Sequence, residues 1–132
     1  MKLEYLDDIS DGGKYQHVVT DQLIRLYDFD TVQATLFQQA IKYKLIEKSE
    51  PLILNNLEFI EAINCTLTLK IAGEGKGIEK RSNNNFVCLL TKDDYNEMVN
   101  LIEPYLTRLS GYQWLYDKDN GIDFLFSPGG SW

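Results

Sequence analysis

The sequence predicts an α+β protein in which two helices cover one face of a mainly antiparallel sheet. Residues 63–71 alternate between apolar and polar side chains, two segments carry amphipathic helical stripes behind capping residues, and the C-terminal segment alternates again. Across residues 23–116 the elements follow the order β-α-β-β-α-β, that of a ferredoxin-like two-layer sandwich. We expect an N-terminal strand and a C-terminal hairpin to extend this core, and residues 1–132 to form a single domain.

The N-terminal part of the chain predicts two strands separated by an acidic, turn-rich loop. Residues 2–6 alternate, with Leu3 and Tyr5 on one face. Residues 23–29 form the second predicted strand, in which residues 23–27 are apolar on both faces except at Arg25, and a strand of this kind belongs in the middle of a sheet. We therefore expect the second strand to be central.

The first helix is predicted from its cap and its apolar rows. Asp30 and Gln33 have the spacing of a capping box, and Pro51 predicts an end near Lys48. The apolar positions form two adjoining rows that are predicted to face the sheet together. These rows are Val32, Leu36 and Ala40, and Phe37, Ile41 and Leu45.

The second helix is predicted in the same way. Thr91 is the expected cap, with Asp94 three residues later, and Pro104 predicts a kink or an early stop. The stripe of this helix consists of Tyr95, Met98, Val99, Ile102 and Tyr105.

Two hairpins are predicted. Residues 63–71 and 86–90 flank a glycine-rich loop, and a turn centred on residues 75–77 sets Cys65 opposite Cys88 and Leu67 opposite Phe86. A shift of two residues keeps the same faces, so that register also remains open. Residues 112–116 and 122–126 flank Asn120-Gly121, a strong hairpin signal, and residues 127–132 form a turn-like tail that frays before its final tryptophan.

The net charge of the chain limits the classes of partner that it can bind. A net charge of −7 and a pI near 4.6 argue against a surface for nucleic acid or an anionic membrane. The same charge fits a basic protein partner, and it also fits plain solubility. No segment resembles a signal peptide or a bilayer span, so we expect a cytoplasmic protein with reduced cysteines.

The sequence predicts no catalytic residue, metal site or cofactor. His17 is the single histidine and cannot build a multi-histidine site, while Cys65 and Cys88 alternate with aliphatic residues and predict buried, unreactive thiols. The glycine-lysine segments at residues 12–14 and 73–77 lack the following helix that a phosphate loop requires. The acidic stretches at residues 7–11 and 117–123 lack the ligand spacing of a calcium loop and read as solvated turns.

Two groups of residues are candidate binding sites. The first group is polar: Arg25 is the lone charge of an apolar strand, and Glu61 is the acid nearest the alternating strand. These two residues are natural partners and are expected to line a polar cleft with Asn64. The alternative is that Arg25 and Glu61 form a purely structural ion pair. The second group is aromatic, because six of the sixteen aromatic residues lie between positions 112 and 132. An exposed patch would consist of Tyr112, Trp114, Tyr116 and Trp132.

The aromatic patch has an alternative as well. The same row can pack inward while Gln113 and Leu115 face solvent, and the sequence leaves both arrangements open.

Our leading hypothesis is a non-enzymatic module that binds a basic protein, one version being an acidic immunity or inhibitor protein. A small-molecule-binding regulatory domain is the alternative, expected to be dimeric. An enzyme that uses scattered carboxylates comes third.

Overall fold

A computed structural model describes residues 1–7, 22–117 and 121–132 of the chain. Within these residues, nine strands form two sheets, and two α-helices accompany them. The strands are β1 (Lys2–Asp7), β2 (Gln22–Tyr27), β3 (Leu52–Ile53), β4 (Glu61–Ala62), β5 (Thr66–Ile71), β6 (Gly77–Ser82), β7 (Asn85–Leu90), β8 (Gln113–Tyr116) and β9 (Asp123–Ser127). The helical segments are α1 (Thr31–Ala40) with a π-helical continuation (Ile41–Glu47), a 3-10 turn (Leu54–Asn56), and α2 (Lys92–Ile102) with a 3-10 continuation (Glu103–Leu106).

The two sheets mix parallel and antiparallel pairs. The first has the strand order β4-β1-β2-β9-β8, in which β1–β2 and β8–β9 are antiparallel while β1–β4 and β2–β9 are parallel. The second has the order β3-β5-β7-β6, with a parallel β5–β7 pair between two antiparallel pairs. An isolated bridge between Ile78 and Ile122 links the sheets. The central position expected for the second strand is confirmed, since β2 lies between β1 and β9.

One main hydrophobic cluster receives side chains from both sheets and both helices. The rings of Tyr5 and Phe86 lie 4.7 Å apart between centroids and join the inner faces of the two sheets. On the first sheet, Phe126 packs against Phe37 of α1 at 5.9 Å and against Tyr105 at 5.3 Å. Aromatic contacts in the core therefore join the two sheets to each other and the helical segments to the first sheet.

The prediction of one sheet is wrong, and the ferredoxin-like two-layer order is not confirmed. Strand β2 pairs with β1 on one edge and with β9 on the other, so its backbone hydrogen bonds are satisfied without β5 or β7. Strands β5 and β7 then pair with each other in the second sheet. The coarser class holds, since helices and strands are mixed and much of the pairing is antiparallel.

The predicted hairpin of residues 63–71 and 86–90 is also wrong. The segment between its arms forms β6, which makes the antiparallel partner of β7, so that β5 runs parallel to β7. Leu67 does lie opposite Phe86, but Cys88 pairs with Leu69 and Cys65 precedes β5. The charged residues of β6 resemble a loop in sequence, and they suit an edge strand whose outward side chains stay in water.

Both helix caps are confirmed. The Asp30 carboxylate accepts from the Gln33 backbone N–H at 2.8 Å, and Thr91 and Asp94 make the equivalent reciprocal bonds at α2. The second helix stripe is buried as predicted, and α2 gives way to a 3-10 turn at Glu103, next to Pro104.

The burial of both apolar rows of the first helix is not what the structure shows. The row of Phe37, Ile41 and Leu45 is fully buried, whereas Val32 and Leu36 are 64% and 41% exposed. The core side of this helix includes Ala34 and Gln38, which rotates the other row toward solvent.

Candidate functional site

A second, smaller apolar cluster lies on the side of the first sheet that faces away from the main core. Leu23 and Leu125 are fully buried there, and Leu6, Trp114 and Trp132 pack against them. The residues next to Leu23 and Leu125 in the chain belong to the main core, because successive side chains of a strand project to opposite sides of the sheet.

Strand pairing aligns four side chains across this surface. Glu4 lies opposite Arg25, Arg25 opposite Leu125, and Leu125 opposite Trp114. Directly paired residues project to the same side of a sheet, so the charged pair and the tryptophan share one surface. We call the surface formed by Glu4, Arg25, Leu125, Trp114 and Trp132 the outer face.

Arg25 makes three interactions on the outer face. Its Nε and Nη2 donate to Oε1 of Glu4 at 2.9 and 2.6 Å, and its Nη1 donates to the carbonyl oxygen of Gly130 at 2.6 Å. The guanidinium carbon also lies 4.0 Å from the centroid of the Tyr27 ring. Only about a fifth of either charged side chain is exposed, so these charge-assisted bonds are shielded from solvent.

The C-terminal tail crosses the outer face and is held by several bonds besides the one to Arg25. Ser127 Oγ donates to the carbonyl oxygen of Ser131 at 2.8 Å, and the Gly130 N–H donates to the carbonyl oxygen of Ser127 at 3.0 Å. The Asp28 N–H donates to the carbonyl oxygen of Pro128 at 2.9 Å. The expectation of a frayed tail is therefore wrong.

Three of the four predicted aromatic residues form a continuous row. The rings of Tyr112 and Trp114 lie 6.3 Å apart at an interplanar angle of 78°, and those of Trp114 and Trp132 lie 6.3 Å apart at 64°. Both are edge-to-face arrangements of the kind that aromatic pairs prefer. Tyr112 is 47% exposed, while both tryptophans are half-buried. We call Tyr112, Trp114 and Trp132 the aromatic row.

Tyr116 lies elsewhere because β8 contains a bulge. The pairing with β9 runs from Trp114–Leu125 to Tyr116–Phe124, which leaves Leu115 as the extra residue. Leu115 and Tyr116 consequently both pack against the main core. Neither arrangement left open by the sequence describes β8 completely, because its alternation is broken between Trp114 and Leu115.

The three residues of the predicted polar cleft make separate interactions. The ionic partner of Arg25 is Glu4 and not Glu61. Glu61 is exposed in β4. Asp28 is the main cause of the raised pKa of Lys2, and the charge of Glu61 adds a smaller increase. The Asn64 amide accepts from the Tyr5 N–H and donates to the Tyr5 carbonyl, both at 2.8 Å, and so continues the backbone pairing of β1 beyond β4.

Two exposed carboxylates lie at one end of the first sheet. Asp7 pairs with Gln22 at the end of β1, and Asp117 follows Tyr116, which pairs with Phe124. The end of β1, the starts of β2 and β9, and the end of β8 therefore lie at the same end of the sheet. Asp7 follows the buried Tyr5 by two positions, so it projects to the side of the main core and not to the outer face.

The thiols do not supply chemistry at this surface. Burial raises the pKa of both Cys65 and Cys88 to about 12, and the two side chains belong to the main core. The expectation of buried thiols is confirmed, and a thiolate nucleophile is strongly disfavoured at either position near neutral pH.

In the described part of the chain, no three His, Cys, Asp or Glu residues cluster closely enough to hold a metal ion. His17 and most of the acidic loop at residues 7–11 lie outside the described residues, as does Asn120 of the predicted turn.

No helix in the described ranges has the length and apolarity needed to cross a bilayer. Comparison of the chain with protein-family models and with curated proteins finds no match.

Two residues of the outer face were missed by sequence reasoning. Glu4 could have been found from the hairpin register of β1 and β2, since outward positions of adjacent strands face each other. Gly130 had no signal of its own, because its role depends on a carbonyl group that any residue carries and on the path of the tail.

Proposed function

We propose that the chain is a non-enzymatic protein-binding module that recognises a basic protein through its outer face. The observation that carries this proposal is the pair of tryptophans, Trp114 and Trp132, in edge contact on the sheet surface away from the main core. Half-buried tryptophans with an exposed tyrosine beside them match the composition of interaction hot spots.

Pre-organisation of the aromatic row supports the proposal. Arg25 and Ser127 hold the tail that carries Trp132, so little side-chain entropy remains to be lost when a partner docks. Trp114 is fixed by its packing on Leu125.

Charge supports the choice of a basic partner. The chain has a net charge of −7, and Asp7 and Asp117 place exposed carboxylates at one end of the first sheet. Such a field speeds the encounter with a cationic protein and disfavours nucleic acid. An immunity or inhibitor protein that neutralises a basic toxin in the cytoplasm is the version that these features fit best.

The test is affinity capture by the tagged chain from a lysate of its source, at low and at moderate salt. The proposal expects a stoichiometric partner with a basic pI whose recovery falls as salt rises. Failure of the well-folded chain to capture any partner at either salt concentration would overturn it, and stabilisation by a metabolite would then favour the regulatory-domain alternative.

Variants locate the contact surface. Tyr112→Ala removes an exposed ring without uncovering Leu23 and Leu125, and it should reduce capture. Replacing both Trp114 and Trp132 by alanine should abolish capture, with a thermal melt to verify folding. Ile53→Ala is the matched control, since that side chain is 40% exposed on β3 of the second sheet and should not affect capture.

A further inference from the structure

The first helix carries an outward apolar row that no other described element covers. Val32 is 64% exposed, Leu36 41% and Tyr43 54%. The three residues recur at the spacing of one helix face, opposite the buried Phe37 and Ile41. This outward row is distinct from the aromatic row, since it belongs to a helix and not to the first sheet.

The α-helical part of this segment, which carries Val32 and Leu36, lacks charge, whereas Tyr43 lies between Lys42 and Lys44 in the π-helical part. Residues Thr31–Ala40 include no Asp, Glu, Lys or Arg, in a chain of which 25% of the residues are charged. The outward face of a surface helix normally carries charged and polar residues. Depletion of charge together with exposed aliphatic and aromatic side chains is typical of the centre of a protein interface.

Charge returns at the two ends with opposite sign. Asp28 and Asp30 precede the helix, and Lys2 pairs with Asp28 at 3.2 Å, so Asp30 carries the remaining negative charge at this end. At the other end Lys42, Lys44 and Lys48 outnumber Glu47 and Glu50. Lys44 pairs with Glu50 at 3.9 Å, and Lys48 Nζ is 5.5 Å from the centroid of the Tyr43 ring, on the outward row. A surface that is negative at one end, neutral in the middle and positive at the other complements a copy of itself in antiparallel orientation.

We propose that two copies of this chain associate through this row, with their first helices antiparallel about a two-fold axis near Gln39. In this arrangement Leu36 of each copy contacts Tyr43 of the other, and Asp30 of each copy approaches Lys48 of the other. The contact is isologous, because the same residues serve on both sides and a two-fold axis closes the assembly at a dimer. The aromatic row takes no part, so the dimer can present two outer faces.

Sedimentation equilibrium of the full chain tests the proposal. From micromolar to near-millimolar concentration the mass should rise from 15.3 kDa toward twice that value. Leu36→Glu should remain at 15.3 kDa across the same range, with dissociation at least about tenfold easier, because it places a carboxylate at the centre of an apolar contact. Leu109→Glu is the matched control, since that leucine is 47% exposed outside the helix, and it should dimerise as the original chain does.

Charge variants test the antiparallel orientation. Lys48→Glu should weaken the dimer by facing Asp30 of the second copy with a like charge. Adding Asp30→Asn should restore part of the loss, because asparagine removes the charge and keeps the helix cap. A monomer at every concentration, or a dimer that persists unchanged in Leu36→Glu, would overturn the proposal. Capture of a basic partner is independent of either result.

Discussion

The guanidinium of Arg25 donates a hydrogen bond of 2.6 Å to the carbonyl oxygen of Gly130, 105 positions later in the chain. The same group holds the Glu4 carboxylate on the adjacent strand. Arg25 therefore connects β1, β2 and the C-terminal tail, and through the tail it positions Trp132 against Trp114. A residue that sequence reasoning placed in a polar cleft instead organises the aromatic row.

Replacing Arg25 by alanine should lower the free energy of unfolding by about 1–3 kcal/mol, because Glu4 loses its partner in a shielded setting and Gly130 loses a charged donor. Tryptophan emission should also shift to longer wavelength as the tail loosens. Urea unfolding monitored by fluorescence measures both effects. Arg81→Ala is the control, since the Arg81–Glu79 pair is 55% and 40% exposed and should change stability by less than about 1 kcal/mol. Equal losses in the two variants would contradict the role given to Arg25.

Gly130→Ala should destabilise the tail while Gly129→Ala should not. Gly130 has φ +83°, and an added Cβ would lie 2.9 Å from Nη1 of Arg25, whereas an added Cβ at Gly129 meets nothing within 4 Å. The left-handed backbone alone costs an L-residue about 1–2 kcal/mol. Faster hydrogen exchange at Asp28 and at position 130 in the first variant only is the expected readout, because these two amides donate the backbone bonds of the tail. Indistinguishable variants would show that the tail is not held as described.

Gly77→Ala should disturb the junction of the two sheets. Its φ is +79°, and an added Cβ would lie 2.6 Å from the Tyr116 hydroxyl and ring. We expect a lower melting temperature by several degrees, as a loss of roughly 1–2 kcal/mol produces in a domain of this size. Gly73→Ala is the control, because an added Cβ there meets nothing within 4 Å. Calorimetry of both variants measures their melting temperatures. An unchanged melting temperature in Gly77→Ala would contradict the packing of Tyr116 against Gly77.

Stability should fall in alkali. Burial raises the pKa of Cys88 from 9.0 to about 12, so the folded chain keeps a proton that the unfolded chain releases above pH 9. The stabilisation is therefore complete below pH 9 and is lost as the pH rises toward 12. Burial raises the pKa of Tyr95 in the same direction, from an ordinary value of 10.0. Urea unfolding between about pH 8 and pH 11 should show this slope, and Cys88→Ala should reduce it. A flat profile in the original chain would contradict the burial of these groups.

Local sequence signals predicted the elements well. The capping pairs Asp30–Gln33 and Thr91–Asp94 are both formed, because a cap depends on residues three positions apart. The central place of β2 followed from its apolarity on both faces.

Pairing between distant segments could not be read from the sequence in the same way. Alternation shows that a strand has a buried face, but it does not show which neighbour pairs with it, and β5 could satisfy its pattern beside β7 in either direction. The charged strand β6 and the bulge at Leu115 carry no local signal that separates them from a loop and a regular strand. The outer face could not be predicted for the same reason, because it depends on the strand order β1-β2-β9-β8.

The central claim is that a basic partner docks on the aromatic row, and fluorine NMR tests it most directly. The chain contains only two tryptophans, and both belong to the row, so 5-fluorotryptophan places its two signals at the proposed contact. Addition of the captured partner should shift or broaden both resonances, and Ile53→Ala should leave that response unchanged. Formation of the complex with both resonances unaltered would place the partner elsewhere and contradict the account.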